Sequence, residues 1–175
     1  MRIGVKSVGG SALVRDNLFW QNQANGGGTG GGLRVDGDLI EVTGNTFHAC
    51  TQTIDAVGGA ALRLQGGAVT FDNNVISECT GAQAVWLSSG TMDTDCNLYW
   101  GNTDGDVEGF AMGPFDRVED PSFCDASSGD FTVRSASPCL PPNSLGCDLI
   151  GARGQGCGSV ALPGKSWGQI KGAYR

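Results

Sequence analysis

Four segments of this chain can be laid over one another, and their spacing limits the fold more than any other feature. They are Val14-Arg15-Asp16-Asn17-Leu18-Phe19-Trp20, Val42-Thr43-Gly44-Asn45-Thr46-Phe47-His48, Phe71-Asp72-Asn73-Asn74-Val75-Ile76-Ser77 and Thr94-Asp95-Cys96-Asn97-Leu98-Tyr99-Trp100. The shared Asn stands at 17, 45, 74 and 97, giving steps of 28, 29 and 23 residues. A second block recurs in phase: Gly32-Leu33-Arg34-Val35, Ala61-Leu62-Arg63-Leu64 and Ala84-Val85-Trp86-Leu87. Both blocks contain the apolar–polar alternation of a strand with one buried face. Each repeat therefore carries at least two short strands, divided by Gly, Asn and Asp turns.

The period selects among repeat architectures. Propeller blades need roughly 40 residues or more, and helical repeats need a 3.6-residue apolar pattern. No such helix is legible in residues 12–110, and the Leu-x-x-Leu-x-Leu frame of leucine-rich repeats is missing. Coils of 23 to 29 residues with two or three strands fit an all-β, right-handed parallel β-helix, a solenoid. In that fold the Asn tolerates the left-handed backbone of a tight bend. Stacking also puts successive Asn side chains about 4.8 Å apart, close enough to pair along the axis. The buried columns follow: Phe19, Phe47, Ile76 and Tyr99; Val14, Val42 and Phe71; Leu33, Leu62 and Val85; Val35, Leu64 and Leu87. Thr94 interrupts its column, as suits the last coil.

The chain holds 30 glycines but only 6 prolines, without a Gly-X-Y period, which excludes collagen. Apolar residues recurring between the glycines argue against a disordered linker. Residues 26–32 read as a flexible excursion between strands, since no Lys and no helix follow to make a phosphate loop. A net charge of −7 opposes binding to nucleic acid or to anionic lipid. No apolar run reaches the roughly 18 residues of a membrane helix, so no membrane insertion is expected.

Three regions are expected: coils over 1–110, a Cys- and Pro-rich C-terminal cap over 111–160 and a tail over 161–175. The cap would cover the strand edges and apolar cross-section of the last coil. Its landmarks are Asp120-Pro121-Ser122-Phe123, Gly129-Asp130-Phe131, Ser137-Pro138-Cys139 and Ile150-Gly151-Ala152. In these landmarks and in the Asn-x-Phe repeats, residues 12–157 resemble the right-handed β-helix repeat family of secreted bacterial proteins, within the pectin-lyase-like superfamily. The resemblance implies a β-helix and, in catalytic members, calcium held by clustered acids with a Lys or Arg base, or a carboxylate pair.

Seven cysteines, no CxxC and a single His point to disulfides and an extracytoplasmic setting rather than to zinc. Cys50 and Cys79 share one repeat position, so they form either a disulfide or two stacked thiols. Cys139–Cys147 is the first pairing expected in the cap, with Cys124–Cys157 or Cys96–Cys124 as another. No signal peptide is legible at Met1, and no cap at the N-terminal end. The chain is thus expected to be the C-terminal part of a larger protein, its N-terminal end pairing with upstream coils or another chain.

Candidate site residues are few. Arg34, Arg63 and Trp86 should stack in one outward file, with Asp36 (or Asp38) between the arginines as counter-charge. Arginines hold uronates and Trp stacks on a sugar ring, so this face is a candidate glycan surface; a solvated strand face is the plainer alternative. Asp104, Asp106 and Glu108 are candidate calcium ligands in a Gly-containing loop that otherwise reads as solvated; no other cofactor is implied. Asp16, Asp72 and Asp95 sit at turns, and His48 points outward with no nucleophile pattern near it. The leading expectation is a non-catalytic, secreted or surface-bound module that contacts polysaccharide or cell-surface glycan in adhesion. The alternatives are a polysaccharide lyase or glycosidase, as the resemblance implies, and a structural spacer.

Overall fold

A computed structural model describes residues 3–6, 10–25, 30–53 and 58–157. Among them the chain is all-β, with parallel sheets. One sheet contains β1 (Ile3–Lys6), β2 (Ser11–Arg15), β5 (Leu33–Thr43), β8 (Leu62–Asp72), β10 (Val85–Asp95) and β12 (Val107–Glu108). The second contains β3 (Leu18–Trp20), β6 (Thr46–His48), β9 (Val75–Ser77), β11 (Leu98–Trp100) and β13 (Arg117–Val118), side by side in that order. A short pair, β4 (Gln23–Ala24) and β7 (Thr51–Gln52), forms a third parallel patch.

The register is the one the repeat predicts. Phe19 pairs with Phe47, Phe47 with Ile76, Ile76 with Tyr99 and Tyr99 with Val118. Leu33, Leu62, Val85 and Val107 are likewise successive partners. Every residue of the four predicted columns is buried, and Phe19 stacks on Phe47 with ring centroids 4.5 Å apart. The residues after each Asn form separate short strands, β6 and β9, whereas the second block and the start of the Asn segment share one long strand, the 11-residue β5 and β8. Their burial alternation changes phase at an exposed corner, Gly37-Asp38-Leu39 in β5, so the two halves face one core across a bend.

The left-handed bend lies one residue earlier than predicted. Asp16, Gly44, Asn73 and Cys96, each just before the repeat Asn, have φ of 57°, 64°, 56° and 59°. A second left-handed residue follows the Asn by four, at Gln21, Ala49, Glu78 and Gly101. Each three-residue strand of the second sheet is thus bracketed by two sharp turns, at a cost of about 1 kcal/mol or more per non-glycine. The Asn offsets this by hydrogen bonding. The Oδ1 of Asn74 accepts from the backbone N–H of Asn45 at 2.9 Å and from its Nδ2 at 3.0 Å. Asn17 makes the same pair of bonds to Asn45, and Asn74 to Asn97. Asp116 closes the series, its Oδ1 accepting from Asn97 N at 2.7 Å and Nδ2 at 2.9 Å. Thr94, the polar interruption, donates to the other oxygen of Asp116 at 3.1 Å. Parallel pairing therefore runs on to Val118, beyond residue 110, with Asp116 standing where another Asn would.

The Cys-rich segment does not simply close the last coil. It lies along the outer face of the second sheet. Phe131 packs against Trp20 and His48, and Phe123 against His48. Ala152 N donates to Thr46 Oγ1 at 3.0 Å and Gly151 N to Asn73 O at 2.7 Å. Val75 and Leu98 form a second core there with Val133, Cys139, Cys147 and Ile150. The physical reason is that β6 and β9 bury all three of their residues, so both faces need cover. The cover is an antiparallel hairpin, β14 (Phe123–Asp125) and β15 (Asp130–Val133), followed by an irregular run to Cys157.

Two disulfides tie it down. Cys96–Cys147 joins the fourth Asn segment to the flank, with Cα atoms 5.7 Å apart, and Cys124–Cys157 closes the flank on itself at 5.5 Å. The expected Cys139–Cys147 pair is therefore corrected, as is Cys96–Cys124. Cys139 is a buried free thiol in the flank core, and Cys147 is drawn away to Cys96. Cys50 and Cys79 are stacked thiols, both buried. The Gly-rich excursion at 26–29 and the tail from 158 onward lie outside the described residues, as do the side chains of β1.

Candidate functional site

Strand register brings the predicted face together. Arg34 pairs with Arg63, Arg63 with Trp86, and Trp86 with Glu108. Side chains at paired positions of parallel strands point the same way, which sets both guanidinium groups and the indole in one file. Asp36 is the counter-charge: its carboxylate accepts from Arg34 Nη2 at 2.9 Å and from Nε at 3.1 Å. Asp38 is instead at the exposed corner. Gln65 Oε1 accepts from both Arg34 and Arg63, at 3.3 and 3.4 Å. The Arg63 guanidinium lies over the Trp86 ring, 4.6 Å from its centroid. Burial, and then the neighbouring Arg34 charge, lower the Arg63 pKa from its ordinary value, with Asp36 partly offsetting them. The arrangement is a pre-set cationic plate: two guanidinium forks held in place, one on an aromatic ring.

The calcium candidates do not assemble. Asp104 accepts from Gly81 N at 2.8 Å and from Thr103 Oγ1 at 2.6 Å, and Asp106 accepts from Asn102 Nδ2 at 2.8 Å. Glu108 sits on β12 beside Trp86. Among the described residues no group of three or more His, Cys, Asp or Glu could hold a metal ion. Asp104 and Asp106 instead tie neighbouring loop segments together, and the expected set of Asp104, Asp106 and Glu108 is not brought together as one group of ligands.

A second concavity has no counterpart in the sequence reading. It is a cleft of about 390 Å³ between the second sheet and the flank, lined by residues including His48, Ser77, Glu78, Trp100, Phe123 and Arg134. His48 and Ser77 are register partners on β6 and β9, and His48 Nδ1 lies 2.9 Å from Ser77 Oγ. His48 does point outward, but the flank covers it until 5% of its surface is exposed. That burial lowers its pKa from 6.5, with the Glu78 charge acting in the opposite sense. The repeat alignment already put Trp20, His48, Ser77 and Trp100 at one position. What it lacked was any sign that residues 120–134 fold over that file.

No family model matches the chain, and neither a curated protein nor a solved structure does. Among the described residues no helix is long and apolar enough to cross a membrane.

Proposed function

We propose that this chain is a right-handed parallel β-helix, a short solenoid of the pectin-lyase-like kind, whose Cys-rich C-terminal segment braces its flank. Its function is non-catalytic: an extracytoplasmic module, secreted or at the cell surface, that holds acidic glycan chains in adhesion. Parallel registers stepping by 28, 29 and 23 residues support the solenoid. The two disulfides support an oxidising compartment.

One observation carries the glycan reading, the file of Arg34, Arg63 and Trp86 with Asp36 and Gln65 holding it in place. Asp36 and Gln65 fix the two guanidinium groups in place, and a uronate or sulfate adds paired hydrogen bonds to that prepared face. Successive strands lie about 4.8 Å apart, so the cationic file runs across the sheet and favours an extended chain over a compact ligand.

The test is retention on immobilised polygalacturonate and heparin at low salt, against neutral dextran. The intact protein is retained on an acidic polymer and released by added salt, while the Arg34→Ala/Arg63→Ala double variant elutes in the void. Equal elution of the two proteins, or stronger retention on dextran, contradicts the proposal.

A further inference from the structure

The cleft beneath the flank carries a separate conclusion. Its lining mixes hydrogen-bonding characters around the rings of Trp100 and Phe123. Trp100 is 40% exposed there, unlike the buried Tyr99 beside it. The lining includes Glu78 and Asp120, whose carboxylates accept only, Arg134, whose guanidinium donates only, and Ser122, whose hydroxyl does both; Asp120 Oδ1 already accepts from Ser122 N at 2.7 Å. His48 forms part of the floor. Ser77 engages its Nδ1, so whichever nitrogen carries the proton, Nε2 is presented to the cleft. It lies 3.6 Å from the Glu78 carboxylate, longer than a hydrogen bond.

The placement is built by the fold. Glu78 and Gly101 are the left-handed residues of adjacent coils, and a Cβ on Gly101 would stand 3.5 Å from Glu78 Cγ. That is an ordinary contact, so glycine at 101 answers to its left-handed backbone, and Glu78 and Trp100 both line the cleft. Asp120 and Arg134 enter from the hairpin segment, where Arg134 N donates to Ser122 O at 3.0 Å and holds that wall together.

These characters select a ligand class by elimination. A phosphate or sulfate would meet two carboxylates. An organic cation would be drawn to Glu78 and Asp120 but would meet Arg134. An apolar ligand would desolvate five polar groups. An uncharged pyranose satisfies all of them, because each hydroxyl both donates and accepts and the C–H face of the ring stacks on an indole. We propose that the cleft is a binding site for the uncharged hexose unit of a glycan, distinct from the acidic-glycan face on the other sheet.

The experiment is an NMR titration of the intact, disulfide-bonded protein, following the Trp100 indole N–H signal. The probes are glucose, galactose, mannose and N-acetylglucosamine, with tetramethylammonium and sulfate as the competing classes. At least one hexose should shift the signal saturably in the millimolar range. Glu78→Gln should weaken that binding about 10-fold by loss of a charge-assisted acceptor, whereas Trp86→Ala should leave it unchanged. No shift with any hexose overturns the site, as does a shift only with tetramethylammonium or sulfate, or unaltered affinity in Glu78→Gln. Retention on acidic polymer is read separately, so either site can fail alone.

Discussion

At the residue scale, the repeat Asn does work that no other side chain could do at that position. Its carboxamide accepts two bonds from one neighbouring coil, while its Nδ2 reaches the carbonyl two residues back and one on the preceding coil. For Asn74 those carbonyls are Asp72 O at 3.0 Å and Val42 O at 2.9 Å. Serine is too short, and aspartate lacks the donors. Removing Asn74 strands several buried polar groups, so Asn74→Ala should cost about 3 kcal/mol. Asn17 is exposed, and Asn17→Ala should cost about 1 kcal/mol or less, because water replaces what is lost. Urea unfolding midpoints check this; equal losses would mean that the ladder is incidental.

His48 supplies a pH dependence at the same scale. Burial sets its folded pKa below 6.5, so the unfolded chain binds the proton more readily. Stability is then full above the unfolded pKa and is lost as pH falls from about 6.5 towards the folded value. His48→Gln, which keeps a polar group near Ser77, should remove that slope below about pH 6.5. A slope unchanged in the variant would assign the titration elsewhere.

At the element scale, the short strands of the second sheet depend on the flank. Each has only three residues, and β6 and β9 are covered on both faces. Cys96–Cys147 closes a loop of 51 residues, for which chain entropy predicts about 4 kcal/mol of stabilisation. A non-reducing peptide map should recover Cys96–Cys147 and Cys124–Cys157. Cys50, Cys79 and Cys139 should alkylate only after unfolding. Burial keeps the last two protonated, Cys139 with a pKa raised to about 11. A Cys139–Cys147 peptide would refute the flank packing.

The columns were legible because coil stacking turns sequence period directly into contact: Phe47 meets Ile76 since each stands two places after its Asn. Two things were not legible. The left-handed residue precedes the Asn and varies among Asp, Gly, Asn and Cys, so composition does not mark it. The flank packing was hidden because Phe123 and Phe131 belong to no repeat. The Arg34, Arg63 and Trp86 file was readable from phase alone. The cleft was not, because most of its lining comes from residues 120–134, about 20 to 86 residues further along the chain than the rest, and no local motif encodes that approach.

At the scale of the whole molecule, the parallel registers carry the polar ladder, the apolar columns and the Arg34, Arg63 and Trp86 file through one repeated step. The Arg34, Arg63 and Trp86 file and the cleft are on different sheets, so under the proposed function a glycan with both acidic and neutral units would have two distinct points of contact. Stability is expected to be shared between the stack and its braced flank, rather than concentrated in one tertiary core.

The central claim is the parallel stacking of coils in the Asn-pinned register. It is tested most directly by nuclear Overhauser contacts in the isotopically labelled protein. Parallel stacking gives a chain of contacts from Phe19 to Phe47 to Ile76 to Tyr99, with the side-chain amide protons of Asn45 close to those of Asn17 and Asn74. Contacts that instead pair these segments antiparallel, as in successive hairpins, would contradict it.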